Sequence, residues 1–312
     1  MIFFHTCSQD VTTDLILSKL SYRAESFRFN VDRWRDYAWE FGPGGWSCTA
    51  PGGETIDSSK MFCFHLRKPM FLDAIDVPAH GCLENWCRRE ILDLFKNLYF
   101  ASHAAGIAAL VTPDGDAWGK LRQMKLAERF FPVPEWHLFS GKRPAVPADG
   151  RWVVKSLTQT MIGEGKCFLV REVDLQTLDA SYPWFIQKRI DGGEEVSAAF
   201  VKGRIWASSI PRDVLGSDDS RLETYRRNLK WTPCNLPDSE CAAIRGFMAE
   251  AGLSFGRFDF IRKDGVLHFL EVNPNGQWAW LDEKDERGLV SAVAEEILAV
   301  ERRGRTLAAA RG

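Results

Sequence analysis

Phe269-Leu270-Glu271-Val272-Asn273-Pro274-Asn275-Gly276-Gln277-Trp278 is the stretch on which the reading of this chain turns. An acid and an amide two residues apart sit in an apolar run that ends at Pro-Asn-Gly. Strand side chains alternate faces, so Glu271 and Asn273 point the same way. Upstream, Arg257-Phe258-Asp259-Phe260-Ile261-Arg262 is a second apolar run with one acid, and Lys263-Asp264-Gly265 joins the two. A three-residue turn with Gly265 left-handed is a common hairpin solution. That register sets Asp259 opposite Phe269 and Arg257 opposite Glu271. It puts Asp259, Glu271 and Asn273 on one face and Phe258, Phe260, Leu270 and Val272 on the other. A two-residue turn would put Asp259 and Glu271 on opposite faces. Two carboxylates and an amide oxygen on one face form a hard-oxygen site of the kind Mg²⁺ uses. A solvated polar face with Glu271 paired to Arg257 is the plain alternative.

Outward from the hairpin, the pattern predicts an α/β (α+β) chain. Residues 1–5 read as a strand, Thr12 to Leu20 as a helix capped by Thr12 or Thr13, and Phe27 to Asn30 as a second strand, a β-α-β opening. Residues 42–53 are rich in Gly and Pro, as a hairpin or loop would be. Met61 to Leu66 is a strand. Glu84 to Phe100 is an amphipathic helix with Trp86, Ile91, Leu94, Phe95 and Leu98 on its apolar side. Val111 to Gly115 is turn-rich and closes a first lobe. Ala117 to Phe131 is a helix, Trp152 to Lys155 a strand, and Gly163-Glu164-Gly165-Lys166 a flexible loop. Strands are predicted over Cys167 to Arg171 and Trp184 to Ile190, followed by a hairpin around Lys202-Gly203. Ser239 to Ala251 and Gly288 to Val300 are helices, and Arg302 onward reads as a frayed tail. The implied organisation is 1–112, 113–190, 191–303 and a tail at 304–312.

Composition narrows the class. Hydrophobic residues make up 45% and charged residues 26% of 312, so a globular chain is expected. With 40 basic and 42 acidic residues the net charge is −2, which leaves no global basic surplus for nucleic acid. No apolar stretch reaches membrane-spanning length, and the opening lacks a secretory signal pattern. The eight cysteines match no zinc spacing and read as free thiols of a reducing cytoplasm. The 12 tryptophans fit buried anchors or a peptide-binding surface equally.

The stretch from Glu271 through Asn273 resembles the Glu-x-Asn metal motif of ATP-grasp ligases. The longer run through Gly276-Gln277-Trp278 looks like that of the graspetide (omega-ester peptide, microviridin-type) maturases. The likeness extends over nearly the whole chain, more weakly at the N-terminal end, where Asp14 to Asp32, Trp34 and the Arg67-Lys68-Pro69 step carry it. It implies an ATP-grasp fold: a pre-ATP-grasp lobe over 1–112, a middle lobe over 113–190 and a C-terminal lobe over 191–303, with ATP between the last two. Carried over by position, it makes Lys120 and Lys155 phosphate lysines and Thr160 to Gly165, with Gly163 and Gly165, the mobile loop. Gln187, Arg189 and Ile190 border the adenine and Glu195 takes the ribose hydroxyls. Asp259, Glu271 and Asn273 hold Mg²⁺. Arg226, with Arg227 beside it, resembles the arginine that meets the substrate carboxylate or acyl phosphate, and Gln277 and Trp278 line the peptide site. Read without the resemblance, Lys120 is one surface lysine among many, whereas a lysine closing the apolar strand at Lys155 is unusual by itself.

Two departures stand out. Ser197 occupies a position where many relatives carry arginine, and Thr224-Tyr225-Arg226 lacks the acid of their Asp-Trp-Arg; Asp219-Ser220-Arg221 is an alternative match. The activity the resemblance implies is activation of Asp or Glu side chains of a ribosomal precursor peptide as acyl phosphates. Ester or amide closure onto Ser, Thr or Lys follows. The alternative is joining amino acids or extending a peptide C-terminus. The expected partners are ATP, Mg²⁺ and a precursor peptide of leader plus core, with a second copy of the chain as a further candidate. The leader is expected to dock along the middle-lobe strands and the Glu84–Phe100 helix.

Overall fold

The structure, a computed structural model, describes residues 1–67, 75–77, 81–146, 150–157, 161–163, 166–218, 227 and 229–310. The chain forms two compact units, Met1–Ala117 with Pro274–Gly312, and Trp118–Asn273.

The first unit opens as the sequence predicts. Strand β1 (Ile2–Thr6) pairs in parallel with β2 (Ser26–Asn30), and helix α1 (Val11–Leu20) joins them. Parallel strands need such a crossover. The cap of α1 is Asp10, not Thr12 or Thr13: its carboxylate accepts the Thr12 N–H at 3.2 Å. The hydroxyls of Thr6 and Thr13 each donate to Asp10 at 2.7 Å, and the Arg67 guanidinium stands 3.4 Å away. Burial raises the Asp10 pKa, but Arg67 and the two threonines outweigh it and hold the carboxyl below its usual range. Strands β3 (Ala38–Gly42), β4 (Gly45–Thr49) and β5 (Thr55–Asp57) form an antiparallel meander, and β6 (Cys63–Leu66) adds to β1 in parallel. Phe3, Phe27, Phe29, Phe64, Phe95 and Tyr99 fill this unit's core.

Two helices of the first unit differ from expectation. Helix α2 (Cys82–Ala104) buries Phe95, Leu98 and Tyr99, but Trp86 is 58% and Leu94 42% exposed. The buried stripe is therefore narrower than the apolar pattern suggested. Short α3 (Pro113–Asp116), capped by Thr112, forms in the segment read as turn-rich; in the second unit the helix expected over Ala117 to Phe131 is shorter, α4 (Lys120–Ala127), because Gly119, with ψ 162, precedes its first turn.

In the second unit, β7 (Trp136–Phe139), β8 (Trp152–Lys155), β11 (Arg171–Val173) and β12 (Trp184–Lys188) form an antiparallel sheet ordered β11-β8-β12-β7. Strands β9 (Met161–Gly163) and β10 (Lys166–Cys167) pair separately. The single strand expected over Cys167 to Arg171 is thus two, because Cys167 pairs with Met161 whereas Arg171 pairs with Val154. A second antiparallel sheet runs β15 (Thr232–Cys234), β14 (Arg204–Pro211), β13 (Glu194–Val201), β16 (Phe255–Lys263) and β17 (Val266–Asn273). Helix α5 (Asp238–Ala251) ends at left-handed Gly252 and packs Phe247 against Phe131, Phe258 and Phe269. The outer edge of β17 is not left open: its Phe269 N–H donates to the Pro132 carbonyl at 2.9 Å and its Val272 N–H to the Gln123 side chain at 3.1 Å.

The last helix, α6 (Leu289–Ala309), returns to the first unit and overturns the frayed tail expected from residue 302. Glu301 and Gly304 are buried, and a Cβ on Gly304 would stand 1.9 Å from the Phe62 carbonyl oxygen. Arg305 lies over the Phe62 ring at 4.6 Å. Charged residues on one side of this turn masked a packed one on the other. Among the described residues, no helix is long and apolar enough to cross a membrane.

Candidate active site

The decisive hairpin is built differently from the predicted one. Its turn has two residues, Asp264 and Gly265, with φ of 50° and 78°, and Lys263 faces Val266. Two left-handed residues match the twist of a tight hairpin. A regular ladder from that turn would send Asp259 and Glu271 to opposite faces. The register holds to Phe260–Phe269 and then shifts, so that Asp259 pairs with Glu271 and Arg257 with Asn273. Leu270 is the extra residue of a β-bulge, and it restores the parity that a three-residue turn would have provided. Asp259, Glu271 and Asn273 consequently share one face, with Arg257 beside them. The opposite face buries Phe258, Phe260, Phe269 and Val272; Phe269 stands where Leu270 was expected, and Leu270 is half-buried.

The polar face is closely wired. Asn273 Nδ2 donates to Glu271 at 2.9 Å and to Asp259 at 3.4 Å. Lys120, the first residue of α4, reaches Glu271 at 2.5 Å. Burial raises the Glu271 pKa, yet the Lys120 and Lys155 ammonium groups and bonds from Lys120 and Asn273 hold it well below the carboxylate range. Arg257 Nη2 donates to Asp259 at 2.6 Å, so the arginine serves Asp259 and not Glu271. Ser197, paired across the ladder with Asp259, donates its hydroxyl to Asp259 at 3.1 Å and to the Phe258 carbonyl at 3.3 Å.

Lys155 closes β8 and donates to Gln187 on β12 at 2.6 Å. Burial first, and Lys120 second, push its pKa down to about 8, against the attraction of Glu271, Asp259 and Glu195. Gln187 is buried, and its amide also meets the Met124 sulfur at 3.9 Å. The backbone beyond it is already engaged: Arg189 N–H donates to the Arg151 carbonyl at 2.8 Å, and the Ile190 carbonyl accepts from Arg212. The Arg189 side chain bonds Asp218 at 2.7 Å. Glu195 lies 3.7 Å from the Arg212 guanidinium.

Gly163 ends β9, while Thr160, Gly165 and Arg226 with Thr224 and Tyr225, the alternative Asp219-Ser220-Arg221 and the Lys68-Pro69 step lie outside the described residues. Arg227 is exposed and donates to the Val214 carbonyl at 2.8 Å. In the first unit, Gln277 is exposed and its Oε1 accepts from Arg67 at 3.0 Å and from Thr12 at 3.2 Å. Trp278 is 1% exposed. It is among the largest fully buried side chains, so its ring lies in the interior and not on the surface. From the sequence, Gln123 and Arg212 carry no site role, Arg257 figures only as a partner of Glu271, and Ser197 only as a departure from the resemblance. Arg257 was findable: two residues from Asp259 on a strand means the same face. The others act through partners on elements distant in sequence, where spacing carries no signal.

The face gathers two carboxylates, an amide, two ammonium groups and a guanidinium. Among the described residues, no group of three His, Cys, Asp or Glu could hold a metal by itself. Two carboxylates and an amide oxygen fit Mg²⁺, which commonly completes its shell with water and phosphate oxygens. A half-turn of the Asn273 amide would present its oxygen instead of the nitrogen that now faces both acids.

No family model and no curated protein matches the chain. Solved structures do. A RiPP-associated ATP-grasp ligase of Chryseobacterium gregarium, in complex with ADP and a leader and core peptide, superposes with a TM-score of 0.75 at 20% identity, covering 95% of this chain and 96% of that one. The macrocyclase MdnC of Microcystis aeruginosa, bound to precursor peptide MdnA, gives 0.77 at 19% identity over 96% and 99%. The D-alanine–D-alanine ligase of Bacillus anthracis, complexed with ATP, gives 0.58 at 15% over 98% of both chains. Agreement over nearly the whole of each chain, together with the two antiparallel sheets of the second unit, establishes that this protein has the α+β ATP-grasp fold.

Proposed function

We propose that the chain is an ATP-dependent carboxylate ligase that acts on a ribosomal precursor peptide and closes ester or amide macrocycles. The observation that carries this is the acidic face of Asp259, Glu271 and Asn273, ringed by Lys120, Lys155 and Arg257. Such a cage suits phosphoryl transfer, where positioning and charge stabilisation do most of the catalysis. Residues 113–190 and 191–303 are taken as the lobes that hold ATP, and 1–112 as the pre-ATP-grasp lobe.

Asp259, Glu271 and Asn273 would hold Mg²⁺, which supplies neutralisation of phosphate charge when bound. Lys120, Lys155 and Arg257 neutralise the remaining phosphate charge, and Ser197 and Arg257 orient Asp259 by donating to its carboxylate. Gly163 and Gly165 belong to the loop over the phosphates, Gln187, Arg189 and Ile190 border the base, and Glu195 takes the ribose hydroxyls. Arg226 or Arg227 meets the peptide carboxylate, and Gln277 the peptide. In the first step a side-chain carboxylate oxygen bonds to the γ-phosphorus while the bond to the β,γ-bridging oxygen breaks and ADP leaves. In the second, a Ser or Thr hydroxyl or Lys amine attacks the carbonyl carbon, loses its proton, and inorganic phosphate departs.

The peptide partner is supported by the precursor, leader and core peptides bound to the structural neighbours. Exposed Leu83, Trp86, Leu94 and Phe100 on α2 support a docking face for a leader or for a second copy of the chain. Cys7, Cys48, Cys63, Cys87, Cys234 and Cys241 are free thiols, in keeping with a cytoplasmic setting. Incubating a candidate precursor with the protein, ATP and Mg²⁺ should remove one water per ring by mass spectrometry. Phosphate release that depends on free amino acids, with the precursor's mass unchanged, would favour the amino-acid ligase instead.

A further inference from the structure

The acid expected to meet the ribose does not stand alone. Glu195 pairs across β13–β14 with Ile210, and Arg212 lies two residues beyond that partner. The Arg212 side chain is 8% exposed and is pinned by three acceptors. Its guanidinium is 3.7 Å from Glu195 and 3.3 Å from Asp218, and it donates to the Ile190 carbonyl. Asp218 also accepts from Arg189 at 2.7 Å, and Arg189 pairs with Asp191. Arg151, just ahead of β8, bonds the same Asp191 at 2.7 Å. The ion-pair chain Glu195–Arg212–Asp218–Arg189–Asp191–Arg151 therefore links the five-stranded sheet to the four-stranded one within the second unit. Meanwhile Ser197, where the resemblance leads one to look for an arginine, is committed to Asp259.

We infer that Arg212 is the positioning residue for Glu195, supplying from the turn just after the neighbouring strand the guanidinium that position 197 lacks. This rests on the proposal that Glu195 receives the ribose hydroxyls of ATP. A carboxylate that must accept two hydroxyls has to be ionised and held in one orientation. Glu195 and Asp218 are 13% and 12% exposed, and the one guanidinium that approaches both offsets the cost of holding two poorly hydrated acids near each other. A planar fork can serve two carboxylates and a carbonyl together; a point ammonium cannot.

The test is calorimetric binding of ATP and 2′,3′-dideoxy-ATP, each with Mg²⁺, to wild type, Glu195→Gln, Arg212→Gln, Arg212→Lys and the Glu195→Gln/Arg212→Gln pair. Wild type should prefer ATP by roughly 10- to 100-fold, as hydrogen bonds to a charged group do. Glu195→Gln and Arg212→Gln should each bring that ratio near unity, and the double variant should lose no more than either single one. Arg212→Lys should fall between. An Arg212→Gln protein that keeps the wild-type ratio while Glu195→Gln loses it overturns the positioning role and leaves the nucleotide site intact. Should Arg212→Gln not fold, an undiminished ratio in Arg212→Lys overturns it equally. Wild type that binds ATP without preferring it overturns the ribose assignment and this inference together, and wild type that binds no ATP refutes the ligase proposal as well.

Discussion

Raising the pH from 7 to 9 should weaken ATP binding by roughly tenfold while making the nucleotide-free protein more resistant to unfolding, and both effects trace to Lys155. Burial and the nearby Lys120 push this ammonium from its usual 10.5 to about 8. In the unfolded chain the same lysine keeps its proton until about pH 10.5. Between pH 8 and 10.5 the unfolded state thus binds more protons than the folded one, so stability rises with pH across that window. The difference corresponds to roughly 3 kcal/mol, reduced to ~2 by the residual solvent contact of a half-buried group. Phosphate oxygens reverse the preference, because they favour the charged form. At pH 8.5 about three-quarters of the free protein carries neutral Lys155, so binding ATP should take up ~0.7 proton. Calorimetry in two buffers of different ionisation enthalpy reads that uptake directly, and Lys155→Met should abolish it while weakening binding at pH 7. An enthalpy independent of buffer at pH 8.5, with affinity flat from pH 7 to 9, would refute the coupling of Lys155 to phosphate.

Three further perturbations separate catalysis from folding. Glu271→Gln removes the acid that Lys120 meets at 2.5 Å, and ATP-dependent phosphate release should fall by about 10²-fold; full turnover would remove the metal assignment. Arg67→Met strands Asp10, whose side chain is 5% exposed, and should cost about 3–5 kcal/mol in denaturant unfolding. Asp10→Asn added to it should recover part of that loss, and an additive second loss would show that the pair is not coupled. Gly304→Ala places a Cβ 1.9 Å from the Phe62 carbonyl oxygen and should cost about 1–3 kcal/mol, with an unchanged urea midpoint showing that α6 does not pack there.

Period-two alternation made the acidic face legible, and the β-α-β opening was legible from its apolar runs and helical rhythm. What escaped lies wherever one residue's role depends on another strand. Trp278 illustrates a different limit: a tryptophan beside a functional motif reads equally as anchor or wall, and only its 1% exposure decides for anchor. Arg212 and Ser197 owe their roles to partners on β13, β16 and the chain after β14, far apart in sequence.

The hairpin shows why a face can be foreseen when its geometry is not. Asp264-Gly265 makes the tighter turn because both residues tolerate positive φ, at 50° and 78°. That turn buries Phe260 against Phe269 on the core face, and continued regularly it would bury Glu271 as well. Burying a carboxylate among Phe258, Phe260 and Val272 costs far more than one irregular residue in a ladder. The extra residue at Leu270 resolves the conflict: core parity is kept up to Phe269, and acid parity begins at Glu271. Nothing in a leucine announces a bulge, but the chemistry demands one wherever an apolar pairing and an acidic pairing must both hold on the same two strands. Deleting Leu270 should therefore force Glu271 and Asn273 toward the phenylalanines, and the protein should lose solubility and ATP binding together; retained ATP affinity would mean that the two acids do not need to face each other.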